Sequence, residues 1–323
     1  ASTGMSGRVA AVDSFFEESS PPEWMLESRH LINQFCERNA HAGRPLVCVT
    51  SGGTIVPLEK NMVRYIGNFS SGTRGARSAE YFLEEGYAVV FLNKKFSIQP
   101  FNRHFLPAIH NILDNLDIGE DGTVKISEDS SRDPVLVETL RMYKKAKQEG
   151  TLLNIPFDTV FDYLFLLRET SLAFQPYGRR AMMFLAAAVS DFYVPERALP
   201  EHKIQSSEGP PPVSLTEVPK MLGYVKHHWC PDCYLVSFKL ETDETILESK
   251  ARGAMKAYGV DMVVSNLLQH IKDWVMLVKG DGTTEVLERD ASSELELVLV
   301  RRVAEIHKKF WDAGEERPEV EGV

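Results

Sequence analysis

Two clusters of glycine and serine near the start of the chain contain the residue types that bind phosphate. The first covers residues 51–53 (Ser-Gly-Gly), and the second covers residues 68–75 (Asn-Phe-Ser-Ser-Gly-Thr-Arg-Gly). Because glycine has no side chain, backbone N–H groups at Gly52, Gly72 and Gly75 can approach an anion closely, and a helix that begins in the second cluster would add its positive end. The clusters therefore predict a phosphate site. Glycine-rich turns also arise for conformational reasons alone, so each cluster by itself leaves that alternative open.

Three familiar motifs are absent from the sequence. It contains no G-x-x-x-x-G-K-[ST], which disfavours a P-loop ATPase, and no G-x-S-x-G, the usual marker of a serine hydrolase. It also lacks G-x-G-x-x-G, and Asn93-Lys94 follows the second predicted strand where dinucleotide enzymes place an acid for the ribose. A nicotinamide-dependent reductase is therefore disfavoured.

A loop lysine and a cysteine pair are weaker signals. Lys203 lies in a loop-forming segment, residues 202–210, from which a mobile cation could close over a triphosphate; a solvated surface lysine is the alternative. Cys230 and Cys233 have zinc-ligand spacing, but structural zinc normally needs a second distant ligand pair, which Cys36 and Cys48 do not provide. We do not predict a zinc site.

The elements that must position these residues follow a βαβ pattern. Residues 46–50 form a continuous apolar run typical of a buried strand, the stripe from Ala76 to Leu83 predicts a helix that ends before Gly86, and residues 87–92 predict a second strand. Such a unit implies a parallel sheet. Polar residues follow five predicted strands, which favours a site where the strand carboxyl ends meet: residues 51–53, 93–95, 190–192, 239–243 and 265–266.

The rest of the chain predicts one α/β domain over residues 1–323. We expect a three-layer, Rossmann-like, doubly wound, mostly parallel sheet with helices on both faces and a C-terminal hairpin. The further predicted strands are 182–189, 234–238 and 262–264, the hairpin is 274–278 with 284–287, and the helices are 135–148, 157–172, 245–258 and 293–311. Residues 1–42 are predicted to be a helical extension, and the polar segment 114–133 a mobile acidic insertion.

Composition excludes several classes of protein. The 323 residues carry 36 Lys and Arg against 46 Asp and Glu, a net charge of −10, which argues against binding to nucleic acid or an anionic membrane. The longest apolar run, residues 181–189, is about half the ~18 residues that suggest a membrane span. With no secretory leader recognised and only four cysteines, we expect a cytoplasmic protein.

Five ordered blocks resemble phosphopantothenoylcysteine synthetases of the eukaryotic, monofunctional type. They are Val-Thr-Ser-Gly-Gly-Thr at 49–54, Asn-Phe-Ser-Ser-Gly-Thr-Arg-Gly at 68–75, Leu-Ala-Ala-Ala-Val-Ser-Asp-Phe at 185–192, Glu-His-Lys-Ile-Gln-Ser-Ser at 201–207 and Ser-Phe-Lys-Leu-Glu-Thr-Asp at 237–243. The resemblance runs from about residue 45 to about residue 290. It implies ligation of 4'-phosphopantothenate to L-cysteine in coenzyme A synthesis, with ATP and Mg²⁺, through an acyl-nucleotide and with release of pyrophosphate.

The resemblance also implies roles for individual residues. The nucleotide-binding set, to which we add Lys239, is Gly52, Ser70, Gly72, Gly75, Phe238, Lys239 and Asn266. The substrate-binding set is Arg64, Asn68, Ala187, Ala188 and Asp191. Asn68 is the expected main contact of the acyl intermediate, because a neutral amide can donate to the acyl oxygen without repelling the phosphoryl group. Lys203 matches the lysine of a flap that offsets phosphate charge as pyrophosphate leaves.

Two further implications concern the assembly and the metal. Arg64 matches an arginine that reaches the substrate phosphate from the neighbouring subunit, which implies a homodimer. Asp191 or Glu241 is a candidate Mg²⁺ ligand, and the sequence leaves that choice open. A non-catalytic, nucleotide-binding regulatory module on the same fold is the alternative function, although the joint presence of Asn68, Lys203 and Asp191 favours catalysis.

Overall fold

A computed structural model describes residues 2–105, 112–205, 207, 213–290 and 293–315. The strands are β1 (Leu46–Ser51), β2 (Ile55–Pro57), β3 (Tyr65–Gly67), β4 (Ala88–Lys94), β5 (Leu116–Ile118), β6 (Val124–Ile126), β7 (Leu152–Phe157), β8 (Ala181–Leu185), β9 (Phe192–Tyr193), β10 (Thr216–Glu217), β11 (Tyr234–Glu241), β12 (Met262–Leu267), β13 (Trp274–Lys279) and β14 (Thr284–Glu288). The helices are α1 (Ser2–Glu18), α2 (Met25–His41), α3 (Thr73–Glu84), α4 (Glu128–Ser131), α5 (Pro134–Glu149), α6 (Val160–Phe174), α7 (Met221–Tyr224), α8 (Glu244–Tyr258) and α9 (Leu295–Glu315). Shorter helical turns cover Asn102–Phe105, Ile112–Asn115, Gln175–Arg180, Glu196–Ala198, Val225–Trp229 and Leu268–His270.

The central sheet has eight strands in the order β14-β13-β12-β11-β8-β1-β4-β7. The six strands from β12 to β7 in this order are parallel, and β13 and β14 add an antiparallel hairpin at one edge. The chain winds outward from β1 through β4 to β7, and then returns to the other side of β1 to build β8, β11 and β12. This reversal creates a switch point between β1 and β8, where ligands of open parallel sheets bind.

Alternating side chains of the strands form two hydrophobic cores, one on each face of the sheet. Leu46 and Cys48 of β1 pack with buried residues of α2 and α6, whereas Val47 and Val49 pack with α3 and α9. Because both faces of β1 are covered, the strand is apolar throughout, as parallel strands in three-layer folds are. The predicted α/β fold is confirmed, including the C-terminal hairpin.

Edge strand β7 was not predicted. Its sequence contains Pro156, and a proline inside a run normally argues against a strand because it has no N–H to donate. Only Ile155 and Phe157 are buried in this strand, so the apolar signal is also weak. The helix predicted from residue 157 therefore begins later, at Val160, where Thr159 and Asp162 form a reciprocal capping box.

Two predicted boundaries differ for identifiable reasons. The strand predicted over 182–189 ends at Leu185, and the residues after it leave the sheet to contact the first glycine cluster. The segment predicted as a mobile acidic insertion contains the hairpin β5–β6 and the one-turn helix α4, with Ser127 capping that helix. Its residues are mostly exposed, and its mobility stays a prediction.

Cys230 and Cys233 form a disulfide, which was not predicted, while Cys36 and Cys48 are free and buried.

Residues 1–42 contain two helices, α1 and α2, on either side of the Pro21-Pro22 pair. Within the described residues no helix is long and apolar enough to cross a membrane.

Candidate functional site

The two glycine clusters meet at the carboxyl end of β1. Ser51 Oγ donates a hydrogen bond of 2.9 Å to the carbonyl oxygen of Gly72. A Cβ on Gly75 would lie 2.4 Å from Cβ and Oγ of Ser51, and a Cβ on Gly52 would lie 2.6 Å from Cβ of Lys94. Gly52 and Gly72 also have positive φ angles of 85° and 83°. A side chain at any of these positions would force the neighbouring segments apart. The glycines therefore allow the two clusters to approach each other closely.

Helix α3 begins directly after Gly72, which occupies its N-cap position without a side-chain hydrogen bond. The first N–H groups of a helix have no partner inside the helix, and the helix dipole places partial positive charge there. The arrangement predicted from the sequence, a helix N-terminus beside two glycine clusters, is therefore present. Ser70 lies in the same loop and is half-buried.

The segment after β8 packs against the first cluster. The backbone N–H of Ala188 donates to Gly52 O at 2.8 Å, and the N–H of Thr54 donates to Ala188 O at 3.1 Å. The N–H of Ala187 donates to the hydroxyl of Thr50 at 3.1 Å. These bonds place Ala187 and Ala188 across the switch point from Gly52.

Asn68 joins both segments. Its backbone N–H donates to Thr54 O at 3.2 Å, and its Oδ1 accepts a bond of 3.4 Å from Ser190 Oγ. The hydroxyl of Thr54 accepts from the backbone N–H of Ser190 at 2.9 Å. The carboxamide of Asn68 is exposed beside these bonds, and Gly53 lies so close that an added Cβ would be 2.1 Å from Asn68 O. Asn68 is therefore held at the switch point by its backbone bond to Thr54 and its side-chain bond to Ser190, and the residue is still exposed to solvent.

A cavity opens beside this junction. Four of the predicted site residues line it together, two from the substrate set and two from the nucleotide set: Ala187, Asp191, Phe238 and Lys239. Apolar residues from α6, β8 and α7 also line it, among them Leu164, Leu167, Leu185 and Met221. Asn266 lies next to it, donating from Nδ2 to Lys239 O at 3.2 Å. A largely apolar cavity with a few polar groups at its edge is typical of an organic ligand site.

Lys220 also lines the cavity and was not predicted as a site residue. Its ammonium forms an ion pair of 2.7 Å with Glu217. Burial alone would lower the pKa of Lys220, but the hydrogen bond and charge of Glu217, with a smaller effect of Asp191, raise it. The side chain is therefore a fixed cation beside Asp191. No sequence motif surrounds Lys220. It is identified as a candidate site residue only by its position in the structure, near Asp191, which is distant in the chain.

Several buried polar atoms near the carboxyl ends have no hydrogen-bond partner among the described residues: Asn93 Oδ1, Ser97 Oγ, Ser237 Oγ, Ser265 Oγ and Asn266 Oδ1. A buried polar atom left unpaired typically destabilises a protein by about 1–3 kcal/mol. Ser237 lines the cavity. These atoms are available to a polar ligand, although other buried atoms, such as Ser78 Oγ in α3 and Thr170 Oγ1 near the end of α6, also have no partner among the described residues.

Arg64 and Lys203 do not line the cavity. They lie on two neighbouring loops, where Arg64 Nη1 donates to Glu59 Oε1 at 2.9 Å and to Ile204 O at 3.1 Å. Lys203 precedes Ile204 and is exposed. Both cations are therefore on the surface near each other, outside the cavity.

The carboxylates of the described residues do not form a ready-made metal site. Within the described part of the chain no group of three or more His, Cys, Asp or Glu residues is arranged to hold a metal ion. Mg²⁺ at nucleotide sites commonly uses only one or two carboxylates, with phosphates and water completing its shell. Asp191, which lines the cavity, fits that requirement, whereas Glu241 at the end of β11 is not among the lining residues.

A family model, curated relatives and solved structures all assign the chain to the same family. The family model described as the DNA/pantothenate metabolism flavoprotein C-terminal domain matches residues 42–109 and 171–306. Phosphopantothenate–cysteine ligase 2 of Oryza sativa subsp. japonica is 43% identical over 302 residues, covering 92% of each chain. The human phosphopantothenate–cysteine ligase is 39% identical over 310 residues, covering 94% of this chain and 98% of the human one.

A solved structure supports the same grouping. A Cab2 variant in complex with phosphopantothenate-cysteine superposes with a TM-score of 0.87 at 35% identity, covering 94% of this chain and 99% of that chain. A protein of Streptococcus pneumoniae superposes with a TM-score of 0.55 at 20% identity, a level that supports the fold alone. From the matched family model and the high-coverage relatives, the chain belongs to the phosphopantothenate–cysteine ligase family.

Proposed function

We propose that this protein ligates 4'-phosphopantothenate to L-cysteine, using ATP and Mg²⁺ and passing through an acyl-adenylate that releases pyrophosphate. The observation that carries the proposal is the meeting of both glycine clusters with the Ala187–Asp191 segment at the β1/β8 switch point. This junction lies beside a cavity lined by Ala187 and Asp191 of the substrate set and by Phe238 and Lys239 of the nucleotide set; Asn68 and the three glycines are at the junction and not among the lining residues. The high identity to named ligases supports the same reaction.

The chemistry explains why such a site needs no protein nucleophile. An amine does not displace oxide from a carboxylate at neutral pH, so the carboxylate must first attack the α-phosphorus of ATP and expel pyrophosphate. The amine of cysteine then attacks the acyl carbon, and AMP leaves. Both steps depend on alignment and on stabilising charge, which backbone amides and fixed side chains can provide.

The proposed roles follow from position. The amides of Gly52, Gly72 and Gly75 with the N-terminus of α3 would bind phosphate, and Phe238 with Asn266 would hold the rest of the nucleotide. Asn68, held by Thr54 and Ser190, would donate its amide N–H to the acyl oxygen. Ala187 and Ala188, whose backbone is fixed against Thr50 and Gly52, would place the pantothenate chain.

Mg²⁺, when bound, would offset charge on the phosphates, and Asp191 is the residue that would hold it. Lys203 would add positive charge as pyrophosphate departs. The preference for ATP over CTP rests on the resemblance to the eukaryotic ligases, and a cytoplasmic location stays a prediction.

We also propose that the protein is a homodimer in which Arg64 serves the partner's site. Apolar side chains beside Arg64 are exposed on the β2–β3 hairpin and the loop after it: Val63 is 54%, Tyr65 59%, Ile66 45% and Phe69 101% exposed. A second copy of the chain would remove this apolar area from water. The proposal predicts that sedimentation gives twice the chain mass of 36.4 kDa.

The experiment that tests the function is pyrophosphate release with phosphopantothenate, cysteine and Mg²⁺, supplying ATP, CTP, GTP and UTP in turn. We expect release to depend on phosphopantothenate and to be fastest with ATP, with one amide formed per pyrophosphate. The competing function, a non-catalytic nucleotide-binding module, predicts saturable ATP binding with no release.

A further inference from the structure

Glu59 is a fully buried carboxylate in an exposed loop. Its relative exposure is 0%, although its neighbours in the loop, Lys60, Asn61 and Arg64, are exposed. Glutamate is almost never fully buried unless it is paired, because burial removes the water that stabilises its charge. A buried charge in this position therefore needs a specific set of partners.

Both carboxylate oxygens of Glu59 have such partners. Oε2 accepts from the backbone N–H of Arg64 at 2.9 Å, and Oε1 accepts from Arg64 Nη1 at 2.9 Å. Oε1 also accepts from the backbone N–H of Ile204 at 3.4 Å. Burial alone would raise the pKa of Glu59, but the hydrogen bonds from Arg64 and Ile204 lower it. The group is therefore ionised at neutral pH.

These bonds connect two loops that are about 140 residues apart in the sequence. Lys60 N–H donates to Pro200 O at 2.9 Å, and Asn61 donates to Glu201 O from both its backbone, at 3.3 Å, and its side chain, at 2.8 Å. Lys203 lies between these contacts and the Ile204 contact, so the backbone on both sides of it is attached to the loop of Glu59. The lysine side chain itself stays exposed.

Arg64 is held at one nitrogen. Among the described residues, hydrogen bonds of its guanidinium involve only Nη1, which leaves Nε and Nη2 available to an anion. A guanidinium oriented by a carboxylate on one side can donate two parallel hydrogen bonds to a phosphate on the other. Glu59 therefore sets the direction in which Arg64 presents its remaining donors.

We propose that Glu59 is a positioning residue for the ligation: it orients Arg64 towards the substrate phosphate and fixes the loop that carries Lys203. This inference rests on the proposed ligase function. It assigns Glu59 an effect on phosphopantothenate that acts through Arg64. A purely structural role would affect every substrate alike.

The first experiment compares Glu59→Gln with Glu201→Gln. Glu201 makes an exposed ion pair of 3.3 Å with Lys60 across the same two loops. Its variant therefore removes one negative charge from these loops and leaves the hydrogen bonds of Arg64 in place. For Glu59→Gln we expect the KM for phosphopantothenate to rise about 10-fold and the KM for ATP to change less than about 2-fold, the effect of one lost charge-assisted hydrogen bond. For Glu201→Gln we expect both constants to change less than about 2-fold.

The second experiment is a double-mutant cycle with Arg64→Met. If Glu59 acts through Arg64, adding Glu59→Gln to Arg64→Met leaves the KM for phosphopantothenate within about 2-fold of that of Arg64→Met alone. Independent effects that multiply in the double variant would overturn the proposal, as would an unchanged KM in folded Glu59→Gln. If Glu59→Gln does not fold, Glu59→Asp, which keeps the charge on a shorter side chain, replaces it in the same cycle.

The design separates this inference from the proposed function. Wild-type protein that releases no pyrophosphate contradicts the ligase function itself. Wild-type protein that is active, with Glu59 variants that are folded and have an unchanged KM, contradicts only the role of Glu59. Circular dichroism and thermal unfolding establish folding for each variant.

Discussion

The amino ends and the carboxyl ends of the same parallel strands differ in how their buried polar groups are paired. At the amino ends, His307 of α9 joins Tyr87, next to β4, and Arg179, next to β8: its Nδ1 accepts from Tyr87 OH and its Nε2 donates to Arg179 O, both at 2.9 Å. At the carboxyl ends, Asn93 Oδ1 and Asn266 Oδ1 are buried without a partner among the described residues. Both ring nitrogens of His307 are therefore paired, whereas the two carboxamide oxygens are left to accept from a ligand.

The two ends also use opposite means to bring chain segments together. Around His307, large rings pack: its ring lies 5.7 Å from that of Tyr87 and 5.0 Å from that of Trp311, measured between centroids. Around Ser51, missing side chains allow contact, since Gly72 and Gly75 leave no room for a Cβ. From this comparison we expect changes at the amino ends to alter stability alone, and changes at the carboxyl ends to alter both stability and ligand binding.

The largest effect is expected for Gly75→Ala. The added Cβ would lie 2.4 Å from Ser51, so the N-terminus of α3 must move away from β1. We expect kcat/KM for ATP to fall about 100-fold and the free energy of unfolding to fall by about 2 kcal/mol. The matched control is Gly253→Ala in α8, where nothing lies within 4 Å. That variant should keep full activity and gain up to about 1 kcal/mol of stability. Equal behaviour of the two variants would contradict the packing argument.

The next effect is expected for Asn68→Asp. A carboxylate at this position would repel the acyl phosphate, so we expect amide formation to slow about 30-fold while adenylate formation slows only about 3-fold. Rapid-quench measurement of pyrophosphate without cysteine, and of amide with cysteine, separates the two half-reactions. Equal loss in both would refute the role of Asn68.

A smaller effect is expected for Lys203→Met, which removes an exposed cation from the loop held by Glu59. We expect kcat to fall about 10-fold with little change in the KM for ATP, because the charge acts as pyrophosphate leaves. Lys145→Met, at an exposed position of α5, provides the control and should be fully active. An unchanged kcat for Lys203→Met would remove this lysine from the mechanism.

The smallest effect on activity is expected at the amino ends, where only stability should change. Burial lowers the pKa of His307 to about 4. A histidine whose folded-state pKa is lowered stays neutral in the folded protein while the unfolded chain takes up a proton below about pH 6.5. The stability is therefore fully present above that pH and is lost as the pH falls towards 4, by on the order of 2 kcal/mol at pH 4.5.

The variant His307→Gln isolates this contribution. We expect the free energy of unfolding of wild type to fall more steeply between pH 7 and pH 4.5 than that of the variant, as measured by urea unfolding at each pH. The kcat of the variant at pH 7 should equal that of wild type. Parallel pH dependence of the two proteins would contradict a neutral, buried His307.

The sequence predicted those parts of the molecule that have local causes. Continuous apolar runs gave β1 and β4, helical periodicity with Gly259 gave the end of α8, and the glycine clusters marked the β1 carboxyl end. Strand β7 was missed because pairing at a sheet edge tolerates Pro156 and needs little apolar surface. The end of β8 was placed too late because Val189 is apolar, although the chain leaves the sheet after Leu185 to bond with Gly52.

The site was predictable only where neighbours in the chain carry the signal. Asn68 and Gly72 belong to one segment, and the structure places them at the junction that the sequence indicated. Lys220 and Glu59 pair mainly with neighbours in the chain, Glu217 and Arg64. What brings them to the site is contact with distant segments, those of Asp191 and Ile204, which no local pattern reveals. Their importance follows from tertiary contacts.

The most direct test of the central claim is a crystal structure of this protein with phosphopantothenate, Mg²⁺ and a non-hydrolysable ATP analogue. We expect phosphate oxygens within about 3.5 Å of backbone nitrogens of Gly52 and Gly72, and the substrate carboxylate within the same distance of the Asn68 side chain. A triphosphate bound elsewhere on the protein, or an Asn68 side chain beyond reach of the carboxylate, would contradict the central claim.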